Sequence, residues 1–291
     1  MSIAINATCY LCHMKKHLET AMGLGDEETA TAFARELMQM YLEVPADTSS
    51  PELVPLVNQL YRKYYGLEED RFREEKEASN RFVLERLDAI AARIAAAPDR
   101  VYAGLQFALL GNYIDFSALH GEVSFEKLDQ MLDSAQQIQV EQADYAALCR
   151  DLEQGKKLLY LTDNAGEICF DRLFAQELIR AYPHLQITFC VRGGPSQNDA
   201  TREDAILAGI PFPVIDNGNT VAGTALNQLS LEAKAALEEA DVILAKGQGN
   251  IETMYGCGYN VYYAFLVKCL RFQEIFQLPQ LTPMLLREKN L

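Results

Sequence analysis

Beyond about residue 152 the apolar residues change period, and this constrains the fold more than any other feature of the chain. Upstream they recur at helical spacing. Phe33, Leu37, Met40, Tyr41 and Val44 do so within 28–44, and Phe82, Val83, Leu87, Ile90 and Ile94 within 80–97, where Pro98 closes the segment. The charge-dense stretch 67–80 reads as a solvated helix face. Downstream, short apolar runs alternate with helical patterns: 156–163, 185–194, 211–216, 240–250 and 260–270. A repeat of roughly 25–30 residues implies βαβ units, a parallel sheet and right-handed crossovers that put helices on both faces. The expected architecture is α/β: a Rossmann-like α/β/α core with a mostly parallel sheet over 153–291, attached to an all-helical domain over 1–152.

Charge narrows the partners. The 291 residues carry 26 Lys+Arg against 41 Asp+Glu, a net charge of −15. Nucleic acid and anionic membrane both need a basic footprint, so neither is expected. A local cationic site for one small anion is still allowed. The N-terminus shows no basic region followed by an apolar one, and the longest apolar run, VYYAFLV (261–267), is far below the roughly 18–20 residues of a spanning helix. A cytoplasmic location is expected. Seven cysteines, an odd number, several of them in apolar segments, suit reduced core thiols better than a disulfide framework.

In open α/β sheets ligands bind beyond the carboxyl ends of the strands. The first four predicted strands deliver polar, Gly-rich turns there: Asp163–Glu167, Arg192–Pro195 followed by Asn198 and Asp199, Asp216–Asn219, and Lys246–Asn250. Asp163, Asn164 and Asp199 offer three hard oxygen ligands, a set suited to Mg2+ or Mn2+. The competing reading makes Asp163 and Asn198–Asp199 helix caps, with Glu167 completing a capping-box-like turn. Lys246, Gly247, Gln248, Gly249 and Asn250 form the best phosphate candidate, two glycines allowing close backbone approach beside an ammonium; an incidental Gly-rich turn is the alternative. P-loop spacing, GxGxxG after the first strand and GxSxG are all missing. Cys9, Cys12 and His13 match CxxCH, with His17 four residues on, but no second ligand pair completes a zinc site. His120 and His184 are lone histidines that read as structural or exposed.

These segments resemble the metal-dependent damage-control phosphatases, long catalogued as a domain of unknown function. That family carries a DNAGE-type turn, an R/K-G-x-P-x-x-N-D-A-T-type segment and a KGQGN-type loop. They stand here in the same order, at Asp163–Glu167, Arg192–Thr201 and Lys246–Asn250. GNYIDF (Gly111–Phe116) resembles a further signature in the helical part, and an N-terminal CxxC occurs in prokaryotic members. The resemblance implies a divalent metal (Mn2+, Mg2+, Co2+ or Ni2+) on Asp163, Asn164 and Asp199. It also implies substrate contacts at Glu167, Arg192 and Lys246–Asn250, and rim residues Asn112 and Asp115 from the helical part. The implied substrates are small phosphate monoesters, sugar phosphates or damaged phosphometabolites.

On this reading Asp163, Asp199 and Lys246 carry the chemistry, with either a water or Asp163 itself attacking phosphorus. An S-adenosylmethionine-dependent carboxyl methyltransferase, and a non-catalytic metabolite-binding or redox protein built around Cys9 and Cys12, are the competing functions.

Overall fold

The computed structural model describes residues 3–68, 70–114 and 125–288. The first half is helical: α1 (Ala7–Leu24), α2 (Glu27–Glu43), α3 (Val54–Tyr65), α4 (Arg73–Leu84), α5 (Leu87–Ala96), α6 (Arg100–Gly111), α7 (Phe125–Ser134) and α8 (Gln142–Gln154). Strands and helices then alternate. They are β1 (Lys157–Leu161), α9 (Glu167–Ala181), β2 (Gln186–Val191), α10 (Arg202–Leu207), β3 (Val214–Asp216), α11 (Leu231–Glu239), β4 (Val242–Lys246), α12 (Gln248–Met254), β5 (Val261–Leu266), α13 (Leu270–Phe276) and β6 (Pro283–Arg287).

Side-chain caps set several of the starts. Asn6, Asp26 and Asp99 accept from the amides of Cys9, Thr29 and Tyr102 at 3.0, 2.7 and 2.9 Å, satisfying otherwise orphaned donors of α1, α2 and α6. The expected helix over 80–97 is two helices, α4 and α5. The chain turns at Glu85–Arg86, where Arg86 donates to the Phe82 carbonyl at 2.9 Å, and both helices present apolar side chains to one core. Ala97 is extended, as the residue before a proline must be. The stretch 67–80 is solvated only in part. Lys76 is buried and pairs with Asp204 at 2.8 Å, and Asn80 donates to the same carboxylate at 2.8 Å. A charge run hides such a pair because its partner lies over a hundred residues away.

The sheet order is β3-β2-β1-β4-β5-β6, with β1 to β5 parallel and β6 antiparallel to β5. The expected Rossmann-like, mostly parallel core is therefore present. β6 went unforeseen, since a five-residue segment opening on Pro283 carries little strand signal. Proline is tolerated there because the strand lies at the sheet edge. The run read as a strand over 260–270 ends at Leu266 and passes into α13.

Alternation along each strand divides the core. Leu158 and Tyr160 pack with residues of α6, α8 and α9, while Leu159 and Leu161 pack with α11, α12 and α13. Helices on both faces explain why β4 and β5 are buried along their whole length. Helices α1 to α3 have their own apolar cluster around Phe33, Leu37 and Tyr61, and the Ile3 amide ties the chain just before α1 to the Glu252 carbonyl at 2.7 Å.

Helix α6 approaches α9 closely at Gly104, where a Cβ would lie 2.9 Å from the Phe174 ring and 3.3 Å from its Cα. Gly104→Val should overpack this contact and destabilise the fold by about 1–3 kcal/mol, read as a lowered urea midpoint at unchanged slope.

Candidate active site

The strand order reverses between β1 and β4, which opens a crevice beyond their carboxyl ends. Asp163 and Asn164 leave β1 there, and the loop after β2 folds back onto them. Asn164 and Asp199 form an isolated antiparallel bridge, the Ala165 amide donates to the Asn198 carbonyl at 2.8 Å, and Ala200 donates to the Asp163 carbonyl at 2.7 Å. Two loops distant in sequence are thereby sewn together. Neither carboxylate caps a helix: α9 starts on Gly166 (φ +77), and α10 on Thr201, whose amide and hydroxyl both meet Asp204 at 2.8 Å. Asp163, Asn164 and Asp199 are brought together as the metal reading requires, and all are buried.

Arg192, fully buried, braces this group. Its Nε donates to Asp199 Oδ2 at 2.5 Å, one Nη donates to Asn250 at 3.4 Å, and the other lies 3.8 Å from Asp163 Oδ1 without a hydrogen-bond partner. Burial, reinforced by the charges of Glu167 and Asp199, pushes the Asp163 carboxyl well above the ordinary carboxylate range, with Lys268 and Arg192 opposing. A dication would relieve that repulsion, so the two carboxylates and the Asn164 carbonyl oxygen fit a hard divalent ion. The Asn164 oxygen accepts one bond from Asn198 at 2.9 Å and keeps a second lone pair. Among the described residues no group of three His, Cys, Asp or Glu side chains is placed to hold a metal ion.

Lys246 and Glu167 sit elsewhere than the phosphate reading assumes. Both side chains are fully buried and paired with each other. Lys246 Nζ also meets the Ala108 carbonyl at 2.8 Å and Asp171 Oδ1 at 3.0 Å, so its three donors are engaged on the side of α6 and α9. Burial alone would lower its pKa, but Asp171 and Glu167 more than offset this and hold the ammonium above its ordinary value. Glu167 Oε2 accepts from Asn112 at 2.9 Å and from the Asn164 side chain and amide at 2.8 and 3.3 Å. It thus reaches back like a capping residue and does not line the cleft.

Asn112 lies beneath the rim rather than on it. Fully buried at the end of α6, it donates to Asp163 Oδ2 at 2.8 Å and accepts from the Leu266 amide at 3.2 Å. Asp115 and His120 lie outside the described residues. The Lys246–Asn250 segment runs from the end of β4 into the first residues of α12. Gly247 has φ +77, and a Cβ on it would lie 2.0 Å from Asp163 Oδ2, so the carboxylate occupies the space a side chain would need. Asn250 is spent on the Thr162 and Lys246 carbonyls at 3.1 and 2.6 Å, while Gln248 and Gly249 face the cleft.

A cavity of about 210 Å3 opens over these strand ends, and α1 and α3 build its far wall. Asp163, Asn164, Asn198, Asp199, Gln248 and Lys268 line one side; Cys12, His13, Lys16, Asn58 and Arg71 line the other. Lys268 was missed because the fifth strand was read through to residue 270; ending it at Leu266 makes Lys268 another strand-end residue. The seven cysteines are free thiols, Cys9 half-buried and Cys12 exposed. His13 bonds Ser50 Oγ at 2.7 Å, His17 bonds the Tyr61 hydroxyl at 3.0 Å, and His184 meets the Leu152 carbonyl at 3.2 Å. No helix among the described residues is long and apolar enough to cross a membrane.

Comparison with known proteins covers nearly the whole chain. Residues 5–280 match the damage-control phosphatase ARMT1-like domain. An uncharacterized protein of Methanocaldococcus jannaschii is 30% identical over 280 residues, covering 92% of this chain and 90% of its own. A damage-control phosphatase of Archaeoglobus fulgidus is 30% identical over 256 residues, covering 86% and 87% respectively. The crystal structure of a DUF89-family protein from Pyrococcus horikoshii shares the fold, with a TM-score of 0.83 at 24% identity over 98% of this chain and 99% of that one.

Lys246→Met leaves the Glu167 and Asp171 carboxylates buried without their cation and should destabilise the protein by about 3–5 kcal/mol at neutral pH. Burial already pushes the Asp171 carboxyl up to about 7, and Lys246 opposes that shift, so loss of the cation raises Asp171 further. The deficit should therefore shrink as pH falls toward about 4, where Asp171 enters the fold neutral. Urea titrations of both proteins across that range check the magnitude and the sign.

Proposed function

The chain belongs to the ARMT1-like damage-control phosphatase family, and from that membership we propose that it is a metal-dependent phosphatase hydrolysing small phosphate monoesters, sugar phosphates or damaged phosphometabolites, at the β1–β4 crevice. The observation that carries this reading is the bridging of Asn164 to Asp199, and of the Asp163 carbonyl to the Ala200 amide, across two loops at the point where the strand order reverses. A divalent ion bound by these three residues would supply positive charge against the oxygens of the transferring phosphoryl group.

The remaining work falls to the chain itself. Arg192 fixes Asp199 through Nε and presents an unpartnered Nη beside Asp163, a donor suited to a phosphoryl oxygen. Lys268 adds a cation on the cleft wall, and Gln248 and Gly249, at the start of α12, line the same space. Glu167 and Lys246 act one layer back: with Asn112 they hold the Asp163 and Asn164 side chains in register. Lys246 is therefore a positioning residue in this proposal and not a direct phosphate ligand. The end of β2 carries Arg192 where a nucleoside-binding Rossmann site places an acid for the ribose hydroxyls, which disfavours the methyltransferase reading.

Asp163→Ala and Asp199→Ala should abolish Mn2+-, Mg2+-, Co2+- or Ni2+-dependent hydrolysis of p-nitrophenyl phosphate while the melting temperature shows a folded protein. Calorimetric titration with Mn2+ alone should lose its binding signal in the same variants. Activity retained in either would sink the ligand assignment. Lys268→Met should lower kcat/KM by roughly 10²–10³-fold, the cost of one transition-state donor; a change of less than about threefold would refute its role.

A further inference from the structure

The cavity is lined by an acid that the proposed phosphatase function leaves idle. Of the lining carboxyls among the described residues, Asp163 and Asp199 stand at the strand ends, and Glu252 comes from α12, one turn after Gln248. Its place on the wall is fixed twice. The Ile3 amide donates to the Glu252 carbonyl at 2.7 Å, and Gln248 Nε2 donates to the carboxyl Oε1 at 2.7 Å. Gln248 is itself held in this sense, because its Oε1 accepts from the Lys268 amide at 3.0 Å. An amide donor on Oε1 suits the carbonyl oxygen of a neutral carboxyl. It leaves Oε2, which has no hydrogen-bond partner among the described residues, to carry a proton.

The elements packed on α12 bring charges that are already engaged. Lys246 of β4 is turned to Glu167 and Asp171, and Glu52 of the turn Ser50–Leu53 bonds Ser49. The tyrosines of β5, Tyr262 and Tyr263, bond Asp151 and Glu288. Cys9, on α1, and Cys269, beside α13, are thiols raised by burial and further by the Glu252 charge, while Arg271 and Cys12 act on Cys9. The Lys268 charge acts on Asp163. Burial therefore dominates and pushes the Glu252 carboxyl up to about 7, with the Gln248 donor opposing. Other proton carriers on the lining are poorly matched to neutral pH: burial lowers His13 to about 4 and His17 to about 3, and raises Cys269 to about 11.

We propose that Glu252 is the general acid of this crevice, protonating the ester oxygen as the alcohol leaves. The inference rests on the phosphatase reading and adds how a strongly basic leaving group departs. The bond between phosphorus and the ester oxygen breaks with its electron pair on that oxygen, and the Glu252 carboxyl gives the oxygen its proton. The water consumed in hydrolysis supplies the new hydroxyl on phosphorus, and its other proton restores the Glu252 carboxyl. An alkoxide expelled without a proton is a strong base, so aliphatic esters such as sugar phosphates need this transfer. p-Nitrophenolate leaves readily as the anion and needs it far less.

The test measures kcat/KM, with Mn2+ present, for glycerol 3-phosphate and fructose 1-phosphate against p-nitrophenyl phosphate, in the wild-type protein and in Glu252→Gln. All three esters share the phosphoryl contacts and the attacking step, so the aliphatic-to-aryl ratio isolates the leaving group. In the wild-type protein this ratio should fall by about tenfold per pH unit above about 8, as Glu252 loses its proton. Glu252→Gln should lower the ratio at pH 7 by about 10²-fold and abolish its dependence on pH. The wild-type pH profile decides the matter even where the variant does not fold. A wild-type ratio flat with pH, equal losses on aryl and aliphatic esters in the variant, a ratio unchanged by the substitution, or hydrolysis of the aryl ester alone would overturn this inference and leave the phosphatase reading standing. Failure of the wild-type protein to hydrolyse any of the three esters with Mn2+, Mg2+, Co2+ or Ni2+ would overturn both.

Discussion

The buried carboxylate of Glu167 is the point on which the site depends. A charge taken fully out of water is tolerable only when each of its lone pairs is met, and here Lys246, Asn112 and Asn164 meet them. Those partners come from the end of β4, the end of α6 and the loop after β1. Satisfying one carboxylate therefore fixes three separate pieces of backbone relative to one another. Asp163 inherits its position from the same bonds, since Asn112 and Asn164 each donate to its Oδ2 at 2.8 Å. Gly247 completes the arrangement by having no side chain where that carboxylate lies.

The fold turns this local order into a cleft. Strand order 3-2-1-4-5-6 leaves a gap beyond β1 and β4 that the crossover helices cannot cover. Helices α1 and α3, which share an apolar cluster with α2, close it from above. A molecule acidic overall thereby keeps a small volume in which Lys268, Lys16 and Arg71 share the lining with Asp163 and Asp199, while Arg192 is buried against those two carboxylates. Within such a volume nearby fixed charges outweigh the screened surface excess.

Much of this was legible in the chain. Helical spacing around Phe33 and Leu37 corresponds to α2, and the five apolar runs correspond to β1 through β5. The strand-end argument reached Asp163, Asn164, Arg192 and Asp199, because a polar residue closing an apolar run has few other places to lie. Periodicity was weaker at element ends. It joined α4 to α5 across Glu85 and carried the last parallel strand past Leu266, over Lys268. It also passed over β6, an edge strand that opens on a proline. Lys76 looked like surface charge and is buried, because its carboxylate partner belongs to α10.

By itself the sequence determined which segments are strands and helices and which polar residues fall at strand ends, since periodicity, capping and turn chemistry act over a few residues. Tertiary structure alone decided where those polar groups point. Lys246 sits at a strand end as expected, yet its ammonium faces Glu167 and Asp171 because α6 and α9 bring a carbonyl and two carboxylates to it. Likewise no local pattern connects Lys16 or Arg71 with Asp163. They share one cavity because helices more than ninety residues away in the chain close over the sheet, and buried charge must find its partners in space rather than in sequence.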